Sequence, residues 1–153
     1  MNSSLYSIAG QYAFSSGATT PFGGFFIKEL DGVFSGCLID VGGPSTIFGS
    51  MGDENIGFEK KYPTRDNSSI DYKLVKKGDL WVGTWKAKLG EKGKASCKID
   101  LCMNDVNFDV YHRDTQDWTG GLMRKLIKDG KFEEFHSLDG KKALVQISNI
   151  RTR

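Results

Sequence analysis

Residues 70–88, IDYKLVKKGDLWVGTWKAK, carry the pattern that decides the fold. Apolar and polar side chains alternate on both sides of Lys77-Gly78, and this period of two is typical of half-buried β-strands. A glycine between two such runs indicates a tight turn, so the stretch is predicted to form a β-hairpin. On its second strand, Trp81 and Trp85 then share one face.

The same alternation continues outward along the chain. Fifteen of the nineteen glycines fall within residues 1–93, where they separate aromatic and β-branched runs as turns do in sheet proteins. This spacing predicts a β-meander over the first two thirds of the chain. Further strands are predicted at Ser4–Phe14, Ser45–Ser50, Asn55–Tyr62, 95–103 and Val106–His112.

The clearest hairpin signal in the chain lies in FFIKELDGVFSGCLID, residues 25–40. The pair Asp31-Gly32 predicts a two-residue turn, because both positions accept a positive φ angle. Pairing the residues beside that turn, Leu30 and Val33, places Phe26 opposite Cys37.

About eight to ten short strands joined by tight turns, with no long crossover, predict an all-β fold. We expect an antiparallel up-and-down β-barrel that forms a single domain over residues 1–153. Near the carboxyl end, residues 117–130 have helical apolar spacing and predict one short helix, although a hairpin turning at Asp129-Gly130 also fits. A last strand is predicted within residues 143–150.

Composition and charge are typical of a globular protein with a mixed surface. The chain is ordinary for a globular protein, with 26% charged and 39% hydrophobic residues and a net charge of +2. Residues 1–58 hold one base and five acids, whereas residues 59–153 hold twenty bases and fourteen acids, so the charge is asymmetric. The bases are scattered among acids, which favours a mixed solvated surface.

Targeting and cysteine patterns point to the cytoplasm. The amino terminus has no positively charged segment followed by an apolar run, and no stretch approaches the roughly 20 apolar residues of a membrane span. The three cysteines include no Cys-x-x-Cys pair, so neither a disulfide framework nor a zinc site is expected. We expect a cytoplasmic protein without membrane contact.

Three features carry a resemblance to a known group of barrels: Gly10-Gln11-Tyr12 on the first strand, Gly83-Thr84-Trp85 on a later strand, and a helix followed by a strand near the end. Together with the meander, they resemble the calycin-like barrels, which include lipocalins, fatty-acid-binding proteins and avidins. The resemblance implies a barrel that holds one small apolar or amphipathic ligand. The first motif departs from the family, since Tyr12 stands where tryptophan is usual, and no ligand-binding set can be carried over.

The stretch LWVGTW, residues 80–85, is the first place to look for a site. It lacks charge on both faces, which predicts a strand covered on both sides or packed against the helix. Gly83 leaves a notch between the two indole rings, and a notch of this kind accepts either a neighbouring side chain or a ligand edge. The candidate ligand-binding residues are Trp81, Trp85, Tyr72, Phe26, Cys37 and Arg113.

Catalytic chemistry has less support in the sequence. His112, Arg113 and Asp114 are consecutive, and neighbouring side chains on a strand point to opposite faces, so the three do not converge. With two histidines in the chain, His112 and His136, no metal site is indicated, and we expect no metal or other cofactor.

The leading expectation is therefore a non-catalytic barrel that binds a small, partly apolar molecule inside. Two alternatives stay open: a small enzyme on the same barrel using His112 and Arg113, or a protein-interaction module of the inhibitor or immunity type. Nucleic-acid binding is disfavoured because the lysines around Trp85 alternate with small and apolar residues rather than with exposed rings.

Overall fold

The computed structural model describes residues 3–62, 69–106, 132–136 and 142–146. Eight antiparallel strands close into a barrel in chain order, with the last strand paired to the first. The strands are β1 Ser3–Ala13, β2 Thr19–Lys28, β3 Val33–Asp40, β4 Gly43–Met51, β5 Asn55–Lys61, β6 Ile70–Lys77, β7 Leu80–Ala87 and β8 Lys92–Val106. The predicted all-β up-and-down barrel is confirmed, and β1, β4 and β5 begin and end within two residues of the predicted strands.

Two sequence predictions fall wholly or largely beyond this part of the chain. The helix predicted over residues 117–130 lies outside the described residues, so neither it nor the competing hairpin is tested. Of the strand predicted at Val106–His112, the structure describes only Val106, which is the last residue of β8.

The hairpin over residues 70–88 forms as the sequence indicates. Lys77 pairs with Leu80, so β6 and β7 are joined by a two-residue turn at Gly78 and Asp79. Gly78 has a φ of 63°, a left-handed conformation that glycine adopts at little cost.

The turn between β2 and β3 differs from the prediction by one residue. Glu29 N donates a hydrogen bond to Val33 O, so the loop spans residues 30–32, and Gly32 takes the left-handed position with a φ of 93°. Phe26 consequently pairs with Gly36 rather than with Cys37. The predicted pairing was wrong because Gly32 closes a three-residue loop instead of a two-residue turn, and a shift of one residue reverses which face each side chain occupies.

The barrel core is built from one face of every strand. Alternate residues point inward, and all eight strands contribute buried side chains to a single apolar cluster. Its most deeply buried large members are the following rings and branched chains: Tyr72, Phe22, Phe26, Phe34, Ile8, Leu38, Ile47 and Leu74.

The outer face of β2 and β3 is apolar and also buried. Phe25 and Ile27 on β2 and Cys37 and Ile39 on β3 alternate with the inward residues, yet none is more than 5% exposed. A separate two-stranded sheet of β9 Phe132–His136 and β10 Lys142–Gln146 lies beside this region, with β10 nearest to β2 and β3. Strand β10 begins one residue before the segment predicted as the last strand and overlaps its first four residues.

Candidate functional site

Aromatic rings fill much of the barrel interior. Phe26 and Phe34 lie with their ring centroids 4.3 Å apart, and Phe58 stacks on Tyr72 at 4.8 Å with nearly parallel planes. Such contacts stabilise a core beyond simple burial of area. Against this apolar background, any charged side chain that points inward is exceptional.

Two opposite charges are nevertheless buried at one end of the interior. Asp40 is the last residue of β3 and Lys60 the penultimate residue of β5, and both occupy inward positions in the alternation of their strands. Lys60 Nζ donates to Asp40 Oδ2 at 2.6 Å, and the two side chains are 1% and 0% exposed. The ion pair is therefore shielded from water almost completely.

The Asp40 carboxylate is held by donors from three directions. Besides Lys60, the hydroxyl of Tyr62 donates to Oδ2 at 2.7 Å, and Gly42 N donates to Oδ1 at 2.7 Å. Burial, together with the adjacent Asp40 charge, raises the pKa of Tyr62 far above its ordinary value. The Tyr62 hydroxyl accordingly keeps its proton and stays a donor to the carboxylate at physiological pH.

Three tyrosine rings surround the Lys60 ammonium. Its Nζ lies 4.9 Å from the ring centroid of Tyr12, 4.9 Å from that of Tyr62 and 5.5 Å from that of Tyr72. At these distances the ring faces attract a cation, most strongly where water is excluded. We call Asp40, Lys60 and the three tyrosines the tyrosine cage.

Tyr72 contributes a hydroxyl as well as a ring. Its oxygen accepts a 3.4 Å hydrogen bond from Lys60 Nζ, while within the described ranges no acceptor takes its own proton. Burial raises the pKa of Tyr72 well above its usual value, so the hydroxyl keeps that proton. A buried donor without an acceptor costs roughly 1–3 kcal/mol, and an incoming hydrogen-bond acceptor would recover part of it.

The cage lies just beneath one opening of the barrel, which we call the mouth. Here the chain turns between β1 and β2, between β3 and β4, and between β7 and β8. Tyr12 and Tyr62 are 8% and 7% exposed, compared with 0–1% for the ion pair below them. A Cβ built on Gly43 at this rim would meet no atom of the described residues within 4 Å.

Four of the predicted ligand-binding residues point into the interior: Trp81, Trp85, Tyr72 and Phe26. Tyr72 belongs to the cage, and its cross-strand partner Trp85 lies beside the cage, where it meets the ring of Tyr12 edge-on at 6.0 Å. Trp85 Nε1 also donates to Ala13 O at 2.9 Å, which fixes the indole. Trp81 and Phe26 lie further from the mouth, so the structure does not bring all four together at the cage.

The two other candidates are placed differently. Cys37 is buried on the outer face of β3, opposite Phe25, because of the register shift at Gly32, and burial raises the pKa of its thiol. Arg113 lies outside the described residues, as does His112, so the structure does not test the enzyme hypothesis built on them.

The notch at Gly83 is filled by the neighbouring strand. A Cβ there would overlap the Lys73 carbonyl oxygen and come within 2.8 Å of Leu74 Cα, so the backbone of β6 occupies the space between the two indoles. The outer face of the same strand is open, with Leu80 44% exposed and Thr84 exposed, which corrects the prediction of a strand covered on both sides. The covered strands are β2 and β3 instead.

The central residues of the cage, Asp40 and Lys60, were not predicted from the sequence. A signal was present in Phe58-x-Lys60-x-Tyr62, where a lysine stands at an inward position between two aromatic residues. Cys97, the inward cysteine of β8, has its pKa raised by burial to about 12 and is therefore an inert thiol near neutral pH. In the part of the chain that is described, no group of three metal-ligating side chains lies close enough together to hold an ion.

The fold and the cage define an eight-stranded antiparallel up-and-down barrel, compatible with a calycin-like fold, with a buried polar cluster at one end. No family model, curated protein or solved structure matches the chain. Among the residues described, none forms a helix long and apolar enough to cross a membrane.

Proposed function

We propose that this protein is a non-catalytic binder of a small, partly apolar molecule at the mouth of its barrel. The observation that carries the proposal is the tyrosine cage: an ion pair and two tyrosine hydroxyls converge at one end of an otherwise aromatic interior. Binding sites for small molecules typically combine apolar walls with a few converging polar groups.

Stability alone gives a poor reason for such a cluster. Bringing two charges out of water costs several kcal/mol per ion, and well-packed apolar replacements are often neutral or more stable. A barrel of eight strands is wide enough either to be filled by side chains or to hold one small ligand. The cage is therefore better explained by recognition than by packing.

The rim above the cage combines small residues with apolar surface. Thr20, Gly43 and Ala87 hold inward positions there, and among the described residues no atom lies within 4 Å of a Cβ built on Gly43. The rings of Tyr12 and Trp85, which are 8% and 4% exposed, form the adjoining wall. A ligand seated at the mouth would place its apolar body against these rings and its polar end toward the cage.

The charge balance of the cage indicates the polar end of the ligand. Lys60 and Asp40 neutralise each other, so a charged head group would gain little attraction and would face one like charge. The Tyr72 hydroxyl, however, has a proton to donate to an acceptor oxygen. We infer a neutral hydrogen-bond acceptor, such as an amide or ketone carbonyl, attached to an aromatic or branched apolar body.

Matched ligands test this proposal. An aromatic amide, the carboxylate and the amine of the same ring system would be titrated into the protein, with binding followed by tryptophan fluorescence and by calorimetry. We expect the amide to bind most tightly. We also expect Tyr72→Phe to weaken the amide about tenfold, the equivalent of one hydrogen bond of about 1.4 kcal/mol.

One control variant tests where the ligand binds. Trp85→Phe should remove most of the fluorescence change, because Trp85 lies beside the cage and Trp81 does not, while calorimetry should still detect binding, weakened only by the smaller ring at this part of the wall. Failure of all three ligand classes to bind would overturn the proposal. Tighter binding of the carboxylate would support a site at the mouth but contradict the inference that its ligand has a neutral head group.

A further inference from the structure

Six exposed lysines share the outer surface of β6, β7 and β8. They alternate with the inward core residues of these strands, and we call this surface the lysine face. Its members are Lys73, Lys77, Lys86, Lys92, Lys94 and Lys98.

The register arranges this surface in rows that run across the strands. Val75 on β6 pairs with Val82 on β7, and these two valines form an apolar row that is partly exposed. The rows on either side are basic. In the first row, Lys73 and Lys94 both pair with Thr84, and in the second row Lys77 pairs with Leu80. An apolar centre bordered by charge is the usual anatomy of a protein interface.

A groove crosses the same surface. It has a volume of about 270 Å³ and is lined by residues of β1, β7 and β8, including Gln11, Val82, Lys94 and Ser96. Gln11 and Ser96 are cross-strand partners and provide hydrogen-bonding groups beside the valine row. The groove lies on the outside of the barrel and is separate from the tyrosine cage.

Among the described residues, acids compensate the positive charge of the lysine face only in part. Across the described ranges, the ion pairs involve Lys60 and Lys61, neither of which belongs to this face. Lys86 and Lys92 are direct cross-strand partners, an arrangement that is destabilising for like charges. Among the outward residues of these strands whose side chains are described, the acids are Asp71 and Asp100, so this part of the face carries an excess of positive charge.

We propose that the lysine face docks an acidic protein segment that carries one apolar side chain between two carboxylates. The apolar side chain would lie over the valine row, and the carboxylates would reach the lysines of the two flanking rows. Those rows are two residues away along each strand, about 6.7 Å on either side. A helix meets this spacing with acids four residues before and after the apolar residue, since four residues rise about 6 Å.

The closed barrel restricts how such a partner binds. Strands β6, β7 and β8 are paired on both sides, so no free edge accepts an added strand and recognition depends on side chains. Stacking of nucleic-acid bases has no aromatic support on these three strands, because Trp81 and Trp85 point inward and are 3% and 4% exposed. These features favour an acidic protein segment over a single-stranded nucleic acid.

The test uses two labelled helical peptides of identical composition. One places leucine between glutamates at the four-residue spacing, and the other scrambles their order. Fluorescence anisotropy would compare wild type, Lys94→Glu/Lys98→Glu on the face, and the charge-matched control Lys28→Glu/Lys76→Glu. We expect the face variant to bind the spaced peptide at least about tenfold more weakly and the control to change it less than about threefold.

A further variant distinguishes recognition of the leucine–glutamate spacing from attraction by charge alone. Val82→Ser should weaken the spaced peptide and leave the scrambled peptide unchanged, since only the first places leucine over the valine row. Equal binding of the two peptides by wild type would overturn the proposal, as would equal losses in the face and control variants. Tighter binding of a thymidine oligomer or of phosphatidylserine vesicles, again lost in the face variant, would replace the acidic segment with that partner.

Discussion

Removing one charge of the Asp40–Lys60 pair should destabilise the barrel much more than removing both. At a separation of 2.6 Å, the two charges attract each other by about 6 kcal/mol for an effective dielectric constant of about 20. Each side chain is at most 1% exposed, so a single substitution leaves the other charge buried without its partner. We expect Lys60→Met and Asp40→Asn each to lower the free energy of unfolding by roughly 3–5 kcal/mol.

The double variant should recover most of that loss. With Asp40→Asn and Lys60→Met combined, no charge remains. The asparagine oxygen can still accept from the Gly42 amide, and its nitrogen, which replaces the oxygen that Tyr62 contacts, can donate to the Tyr62 hydroxyl oxygen. We expect a loss below about 2 kcal/mol, because replacing a buried pair by neutral groups of similar size is often nearly neutral.

Urea unfolding of the four proteins, followed by circular dichroism, measures this thermodynamic cycle. The predicted coupling energy between the two positions is at least about 3 kcal/mol, well above the roughly 0.5 kcal/mol expected for independent sites. Additive losses would show that the two charges do not depend on each other, which would refute the reasoning from their contact.

Three further predictions concern single positions. Gly83→Ala should lower the free energy of unfolding by about 1–3 kcal/mol, because its Cβ overlaps the β6 backbone. Gly57→Ala, whose Cβ meets only an atom 3.7 Å away, should not lower it, and urea midpoints compare the two variants. Tyr62→Phe should lose about 1.5–3 kcal/mol in the same assay, and a neutral result would mean that its hydrogen bond to the carboxylate is not maintained. Because the pKa of Cys97 is raised to about 12 from an ordinary value of 9.0, its contribution to stability is complete below pH 9.0 and is lost as pH rises toward 12. Cys97→Ala should therefore flatten the alkaline fall in stability, and an unchanged slope would contradict burial of the thiol.

The barrel was predictable from the sequence because the alternation of apolar and polar residues is a local signal that recurs along the chain. Alternation around Gly78 places Trp81 and Trp85 on the inner face, and the two-residue turn requires no information from elsewhere in the chain. Short turns between successive strands then leave an up-and-down order as the simplest topology.

The pairing register of the hairpin between β2 and β3 was harder to predict. An Asp-Gly pair fits both a two-residue turn and a three-residue loop with glycine in the left-handed position, and the two choices differ by one residue. Because of this one-residue difference, Cys37 lies on the outer face of β3 and not on the inner face that the predicted pairing implied. The sequence around Gly32 does not distinguish these loops, because β2 and β3 are apolar on both faces.

The cage escaped prediction for a different reason. Asp40 and Lys60 are twenty residues apart and lie on strands that are not neighbours, so only closure of the barrel brings them within 2.6 Å. Charged residues on strands are ordinarily assigned to the solvent face, which hid the inward position of Lys60. Tyr72 was selected as an aromatic wall residue, but its hydroxyl contact with Lys60 depends on the same closure.

Binding of a neutral aromatic amide to the Tyr72→Phe variant tests the central claim most directly. This variant keeps the ring of Tyr72 and the Asp40–Lys60 pair and removes the hydroxyl that donates to the ligand, so calorimetry can compare it with wild type under the same conditions. If the tyrosine cage recognises the ligand, wild type binds the amide with one-to-one stoichiometry and Tyr72→Phe binds it about tenfold more weakly. Equal affinity in the two proteins would contradict the claim that the cage is the binding site.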